Sequence, residues 1–267
     1  MTSRMLNCLA LSLAALMMIH AKTANADDAG STGGGAGGPG VAIVPKLLLS
    51  VSTVQATYSD VSASELSGTE ARRNKIKLTG SDSRLAFSYQ SFYGFEINYR
   101  SMVPKDVAYW SKRDELTIVT SLYVPSIQWV QPALGYFQIS QSGNPTDPLA
   151  PPAFISGNTG ILLGLRTRFN VWDYDGHGFM AHGRIDYLTS LEAKTNFGKE
   201  FTYGLGYYGK IDAVAFTLIG GLTRNTFNAS RRDPLDTDGN KGVDGQQATL
   251  TVKHSYDALK LGIEISY

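Results

Sequence analysis

The last ten residues alternate without a break: Leu259, Leu261, Ile263, Ile265 and Tyr267 take one face, and Ala258, Lys260, Gly262, Glu264 and Ser266 the other. A period of two is the signature of a β-strand with two unlike faces, and a helix cannot satisfy it. The pattern recurs along the chain. Ile161, Leu163, Leu165, Thr167, Phe169 and Val171 alternate with Gly164, Arg166, Arg168 and Asn170. After the turn-forming run from Asp173 to Gly178, Phe179, Ala181, Gly183, Ile185 and Tyr187 alternate with His182, Arg184 and Asp186. These two runs predict a hairpin. Phe201 to Tyr208, Val214 to Leu222, Leu85 to Tyr89, Phe95 to Tyr99 and Leu116 to Val124 read the same way. Leu47 to Tyr58, Lys75 to Thr79, Ile127 to Ile139 and Ala248 to His254 are noisier strands. Low charge content (18%), 28 glycines and 14 tyrosines agree with an all-β chain and exclude a charge-rich coiled coil.

Residues 1–26 have a different character. Arg4 precedes an apolar run from Leu9 to Ile19, and Ala24-Asn25-Ala26 offers small residues at a cleavage site. The run is too short to span a bilayer, so the segment reads as a secretory signal. The one cysteine, Cys8, lies inside it, leaving the mature chain without thiol or disulfide chemistry. The signal also removes Arg4 and Lys22, so 22 basic residues face 23 acidic ones, a balance that excludes a general nucleic-acid binder. Residues 27–45, rich in glycine, read as a flexible periplasmic lead-in, and residues 46–267 as one β-barrel domain.

An exported chain without a membrane-spanning helix still crosses a bilayer if its strands close on themselves, because closure leaves no unpaired backbone in lipid. Trp110, Trp129 and Trp172, with Tyr58, Tyr109 and Tyr123, fall near predicted strand ends, where amphipathic rings favour the interface. The terminal strand, with Leu259, Leu261, Ile263, Ile265 and the final aromatic Tyr267, resembles the C-terminal strand of bacterial outer-membrane β-barrel proteins. That resemblance implies an antiparallel up-and-down transmembrane barrel in the bacterial outer membrane, with outer-membrane lipid around it and the barrel-assembly machinery as its partner in biogenesis. Ten to twelve strands are expected, twelve favoured for its even count. Twelve, however, puts the connections Gln141 to Asn158 and Asn228 to Gly245 on the periplasmic side, where turns are short.

Inward positions read off the alternation are basic at Lys75, Lys77, Arg84, Arg100, Arg166, Arg168, Arg184, Lys210, Lys253 and Lys260, and acidic at Glu96, Glu115, Asp186, Glu200 and Glu264. They predict a net positive lumen. Arg166, Arg168, Arg184, Asp186, His182, Arg84, Arg100 and Glu96 are the candidate pore lining. The first functional expectation is a small porin-like channel passing small anionic solutes. The alternative is a filled, non-conducting surface, adhesion or envelope-integrity barrel braced by interior ion pairs. A lipid-modifying outer-membrane enzyme, such as an acyl hydrolase, is a third class. It would need His182 as general base, and no catalytic set is expected.

Other motifs carry less. Gly204-Leu205-Gly206-Tyr207-Tyr208-Gly209 fits a dinucleotide fingerprint but lies within an alternating strand with no helix after it. Residues 236–244 are rich in oxygen ligands, yet Lys241 stands where a calcium loop needs glycine. No metal site or cofactor is expected, since paired His and Cys ligands are missing.

Overall fold

The computed structural model describes residues 47–64, 70–89, 93–105, 110–122, 129–143, 155–191, 197–211, 214–232 and 249–266. They form ten antiparallel strands in one closed barrel: β1 (Leu47–Ser64), β2 (Glu70–Tyr89), β3 (Tyr93–Pro104), β4 (Trp110–Leu122), β5 (Val130–Gly143), β6 (Ile155–Tyr174), β7 (His177–Ser190), β8 (Phe197–Ile211), β9 (Val214–Arg232) and β10 (Thr249–Ser266). Each strand pairs with its chain neighbours, and β1 closes the ring against β10. The signal segment, the glycine-rich lead-in, Tyr109, Tyr123, the 236–244 run and Tyr267 lie outside the described residues.

The favoured count of twelve is corrected to ten, because two polar interruptions are not turns. Gly80-Ser81-Asp82-Ser83 continues β2, with Asp82 paired opposite Arg100 on β3 and Ser52 on β1. Ser255-Tyr256-Asp257 likewise continues β10, paired through Thr226, Asn225 and Arg224 on β9. These merges also settle the topology. The segments 144–154 and 233–248 now join strands at the end opposite Leu47 and Ser266, whereas the hairpins β2–β3, β4–β5, β6–β7 and β8–β9 turn at the same end as those termini. Short turns at one rim and long connections at the other are the ordinary arrangement of an outer-membrane barrel.

The expected hairpin is present as β6–β7, with Arg166 opposite Arg184 and Arg168 opposite His182. Its turn is Asp175-Gly176, with φ of 49° and 78°. Positive φ at both central residues is the type I′ geometry, whose twist matches that of the flanking strands.

Register sets the size of the barrel. A walk along paired residues from Leu48 passes Ala86, Glu96, Val119, Gly135, Leu162, Leu188, Gly198, Phe227 and His254, and returns to β1 at Asp60, twelve residues higher. Ten strands with that stagger tilt by about 40° and give a backbone radius of about 10 Å. Long side chains from opposite walls meet across such a ring.

The two faces separate by residue type. Outward positions carry Phe95, Leu134, Leu163, Leu165, Phe201, Leu205 (63% exposed), Leu218, Leu261 and Ile263, all exposed. This apolar belt ends abruptly toward the long-connection rim. On β10 Leu259 gives way to Asp257, on β9 Leu222 to Arg224, and Arg224 Nε donates to Asp257 Oδ1 at 2.7 Å. Trp172, Tyr174, His177, Phe179 and Tyr207 form an aromatic cluster at the short-turn rim. Trp129 is also exposed at that rim, just before β5.

Exterior apolar area of this kind is stable only against lipid. Leu261→Arg should therefore lower unfolding free energy by about 2–4 kcal/mol in phospholipid vesicles, and Thr57→Arg, above the belt, by no more than about 1 kcal/mol. Denaturant unfolding of the vesicle-reconstituted protein checks both.

Candidate functional site: the filled lumen

Closure points every second side chain inward, and in β1, β2, β3 and β6 to β8 these are mainly the even-numbered residues. Arg84, Glu96, Arg100, Arg166, Arg168, Arg184 and Asp186 all face this interior, at distances that put them in one network, and His182 lines the same space.

Arg100 is the hub. Its Nε donates to Asp82 Oδ2 at 2.8 Å, and its Nη1 to Glu115 Oε2 at 2.7 Å and Glu200 Oε2 at 2.9 Å. Its Nη2 donates to Glu200 Oε1 at 3.1 Å, and the guanidinium also contacts the Tyr256 hydroxyl. β3 and β8 are five places apart in a ring of ten, so the Arg100–Glu200 pair spans the full diameter. Each acid around the hub has a second cation. Lys260 Nζ donates to Asp82 Oδ2 at 2.5 Å, Arg113 Nε to Glu115 Oε1 at 2.7 Å, and Arg184 pairs with Glu200.

The arginines of the β6–β7 hairpin are clustered but not free. Arg166 Nη1 donates to Asp186 Oδ1 at 2.5 Å, and Arg184 Nε lies 3.0 Å from Asp186 Oδ2. Both guanidiniums lie 3.8 Å from Glu96 Oε1, whose other oxygen accepts from Arg84 Nε at 2.8 Å. Arg168 reaches from β6 to β10, where its Nη2 lies 2.5 Å from Glu264 Oε1.

Above this charged zone, toward the long-connection rim, lies a second layer. Tyr58, Leu78, Met102, Arg113, Phe137, Phe227 and His254 are all fully buried, and Arg113 has 0% exposure. The Phe137 and Phe227 rings meet edge to face at 5.9 Å between β5 and β9. Tyr58 is hydrogen-bonded through its hydroxyl to His254 Nδ1, and Arg113 lies over the Tyr256 ring at 5.5 Å. Tyr58 is therefore a lumen residue in the middle of β1, not the interfacial ring expected near a strand end. Gly160 lets the layer close, since a Cβ there would come within 2.5 Å of the Phe137 ring.

The expected charge balance changes as well. Lys77 and Lys253 point outward, because Leu78 in β2 and Val252 and His254 in β10 hold the inward frame. Lys75 is also exposed, in a bulge with φ of 63°. The side chain of Lys210 lies outside the described residues. Asp82 and Arg113 are inward, and the alternation read from isolated short segments missed both. Among the described inward residues, Arg84, Arg100, Arg113, Arg166, Arg168, Arg184 and Lys260 stand against Asp82, Glu96, Glu115, Asp173, Asp186, Glu200 and Glu264. Seven cations to seven acids is neutral, not the ten to five that the alternation gives.

Below the hub is a cavity of about 170 Å³ that reaches the short-turn end, lined by Ser50, Arg84, Gln131, Arg168, His182 and Lys260 among others. His182 faces Gly204, where a Cβ would come within 2.5 Å of its ring, and its Nδ1 has no hydrogen-bond partner among the described residues. The apparent dinucleotide motif is thus strand β8, with Gly204 making room for His182. His177 sits at the tight turn within the aromatic cluster, and His254 is held by Tyr58. No group of three or more His, Cys, Asp or Glu among the described residues could hold a metal ion.

No family model matches the chain, and no curated protein matches it. Among solved structures, it is similar to the outer-membrane protease OmpT of Escherichia coli, at 8% identity over 83% of this chain and 96% of that one, with a TM-score of 0.40. It is similar to the outer-membrane protein OprG of Pseudomonas aeruginosa at 8% identity, over 81% and 95%, with a TM-score of 0.32. For the P. putida toluene transporter TodX the identity is 6%, over 83% and 90%, with a TM-score of 0.26. A closed antiparallel barrel with a polar interior and an apolar exterior is the architecture of the outer-membrane β-barrel proteins.

Buried and exposed ion pairs in this barrel should differ sharply in cost. Glu264→Gln leaves Arg168 without its carboxylate in the lumen and should cost about 3–5 kcal/mol. Asp257→Asn, in the exposed pair with Arg224, should leave the denaturation midpoint unchanged. Equilibrium unfolding of the two variants side by side is the check.

Proposed function

We propose that this chain is a non-conducting barrel of the bacterial outer membrane, exported by residues 1–26, which serves at the cell surface or in envelope integrity. One observation carries the reading: a layer of fully buried side chains, from Tyr58 to Phe227, lies across the lumen above a network in which every inward arginine among the described side chains is already paired. An open channel would instead leave its arginines wet and facing a continuous path. The outward Leu259, Leu261, Ile263 and Ile265 support recognition by the barrel-assembly machinery through the terminal strand. Outer-membrane lipid is the partner that the apolar belt fits.

A channel for small anions is the second reading. The cavity at the short-turn end favours it, because Arg84 and Arg168 line that space. Conduction would then require the layer around Arg113 to open.

Planar-bilayer recording of the refolded mature protein separates the two. The non-conducting reading expects a silent membrane, with current steps appearing only when Tyr58, Arg113 and Phe227 are all replaced by Ala. Stable, anion-selective steps from the unmodified protein would overturn it.

A further inference from the structure

The charges that line the lower cavity do not cancel: Arg84, Arg166, Arg168, Arg184 and Lys260 stand against Asp82, Glu96 and Glu264. Glu264 serves both Arg168 at 2.5 Å and Arg84 at 4.0 Å. These two arginines are also the lumen guanidiniums most turned to open space. Their side chains are 34% and 22% exposed, against 5% for Arg100. Both line the 170 Å³ cavity, together with Lys260, Ser50, Gln131 and His182. His182 adds a ring nitrogen that is buried without a partner, and Arg166, itself buried at the cavity wall, has Nη2 without a hydrogen bond.

An uncompensated charge inside a membrane barrel is expensive, and a counter-charge drawn into the same space relieves it. We propose that the cavity is a binding site for one small anion, a halide or a short carboxylate, entering from the short-turn end and held chiefly by Arg168 and Arg84. Size sets the limit. At about 30 Å³ for each water displaced, the space equals roughly five or six waters, enough for a carboxylate of a few atoms and too little for a sugar phosphate. Conduction is not needed for this site, since the ligand enters and leaves by one end.

Calorimetric titration of the full-length mature protein in a non-ionic detergent tests it, with sodium acetate as the first probe and sodium chloride as the second. Heat-modifiable gel mobility reports that the barrel is folded. Saturable binding at one site per barrel is expected for acetate. Competition by chloride would give a site for either anion, and its absence a site for carboxylates alone. Arg168→Gln should weaken binding at least tenfold. Lys260→Met, which removes one cation of the cavity lining without removing Arg168, should do the same. A folded wild-type barrel without saturable heat would overturn the proposal, as would unchanged affinity in both variants. Neither result depends on whether the barrel conducts, so failure here is distinct from failure of the non-conducting reading.

Discussion

Arg100 reaches across the full width of the barrel to Glu200, and the rest of the interior is arranged around that reach. Closing ten strands with a stagger of twelve residues leaves a ring narrow enough for one arginine to meet the opposite wall. Lipid outside and protein inside give a low effective dielectric, where an unpaired charge is costly and a paired one is held firmly. The acids that receive Arg100 each take a second cation, so the pairs form one network rather than separate bridges. The aromatic layer above depends on the same anchor, because Tyr256 hydrogen-bonds Glu115 and lies beneath Arg113. Exterior and interior thus have separate tasks. Leucine and phenylalanine outside place the barrel in lipid, and the ion network inside ties opposite walls together.

Much of this was legible in the sequence. The unbroken alternation from Leu259 to Ile265 gives an exposed apolar edge on β10, and the β6–β7 hairpin pairs across an Asp-Gly turn where the turn residues gather. The strand count was not legible, for a physical reason. Asp82 and Asp257 sit in runs of small polar residues that elsewhere make turns, but here each aspartate meets a cation on an adjacent strand, and the strand runs on. A partner two strands away in the ring and more than a hundred residues away in the chain, such as Lys260 for Asp82, leaves no trace in local pattern.

The strand count and the lumen lysines share one cause. Splitting β2 and β10 into two segments each gives every piece its own choice of inward face, and Lys77 and Lys253 then turn into the lumen. A single continuous strand allows one frame only. With Leu78 and Arg84 inward, Lys77 must face out, and with His254 and Lys260 inward, so must Lys253. The same correction moves the long connections to one rim and brings the lumen from strongly basic to neutral. Arg113 precedes the regular apolar alternation that begins at Leu116, and lies in the part of β4 that reaches the buried layer.

The claim on which the account rests is that opposite walls are coupled through Arg100 and Glu200. A double-mutant cycle with Arg100→Met and Glu200→Gln, read by equilibrium unfolding in vesicles, measures that coupling directly. Contacting residues within one ion network should show an interaction energy of about 1–3 kcal/mol. Additive effects, with an interaction energy near zero, would contradict a lumen held together across its diameter.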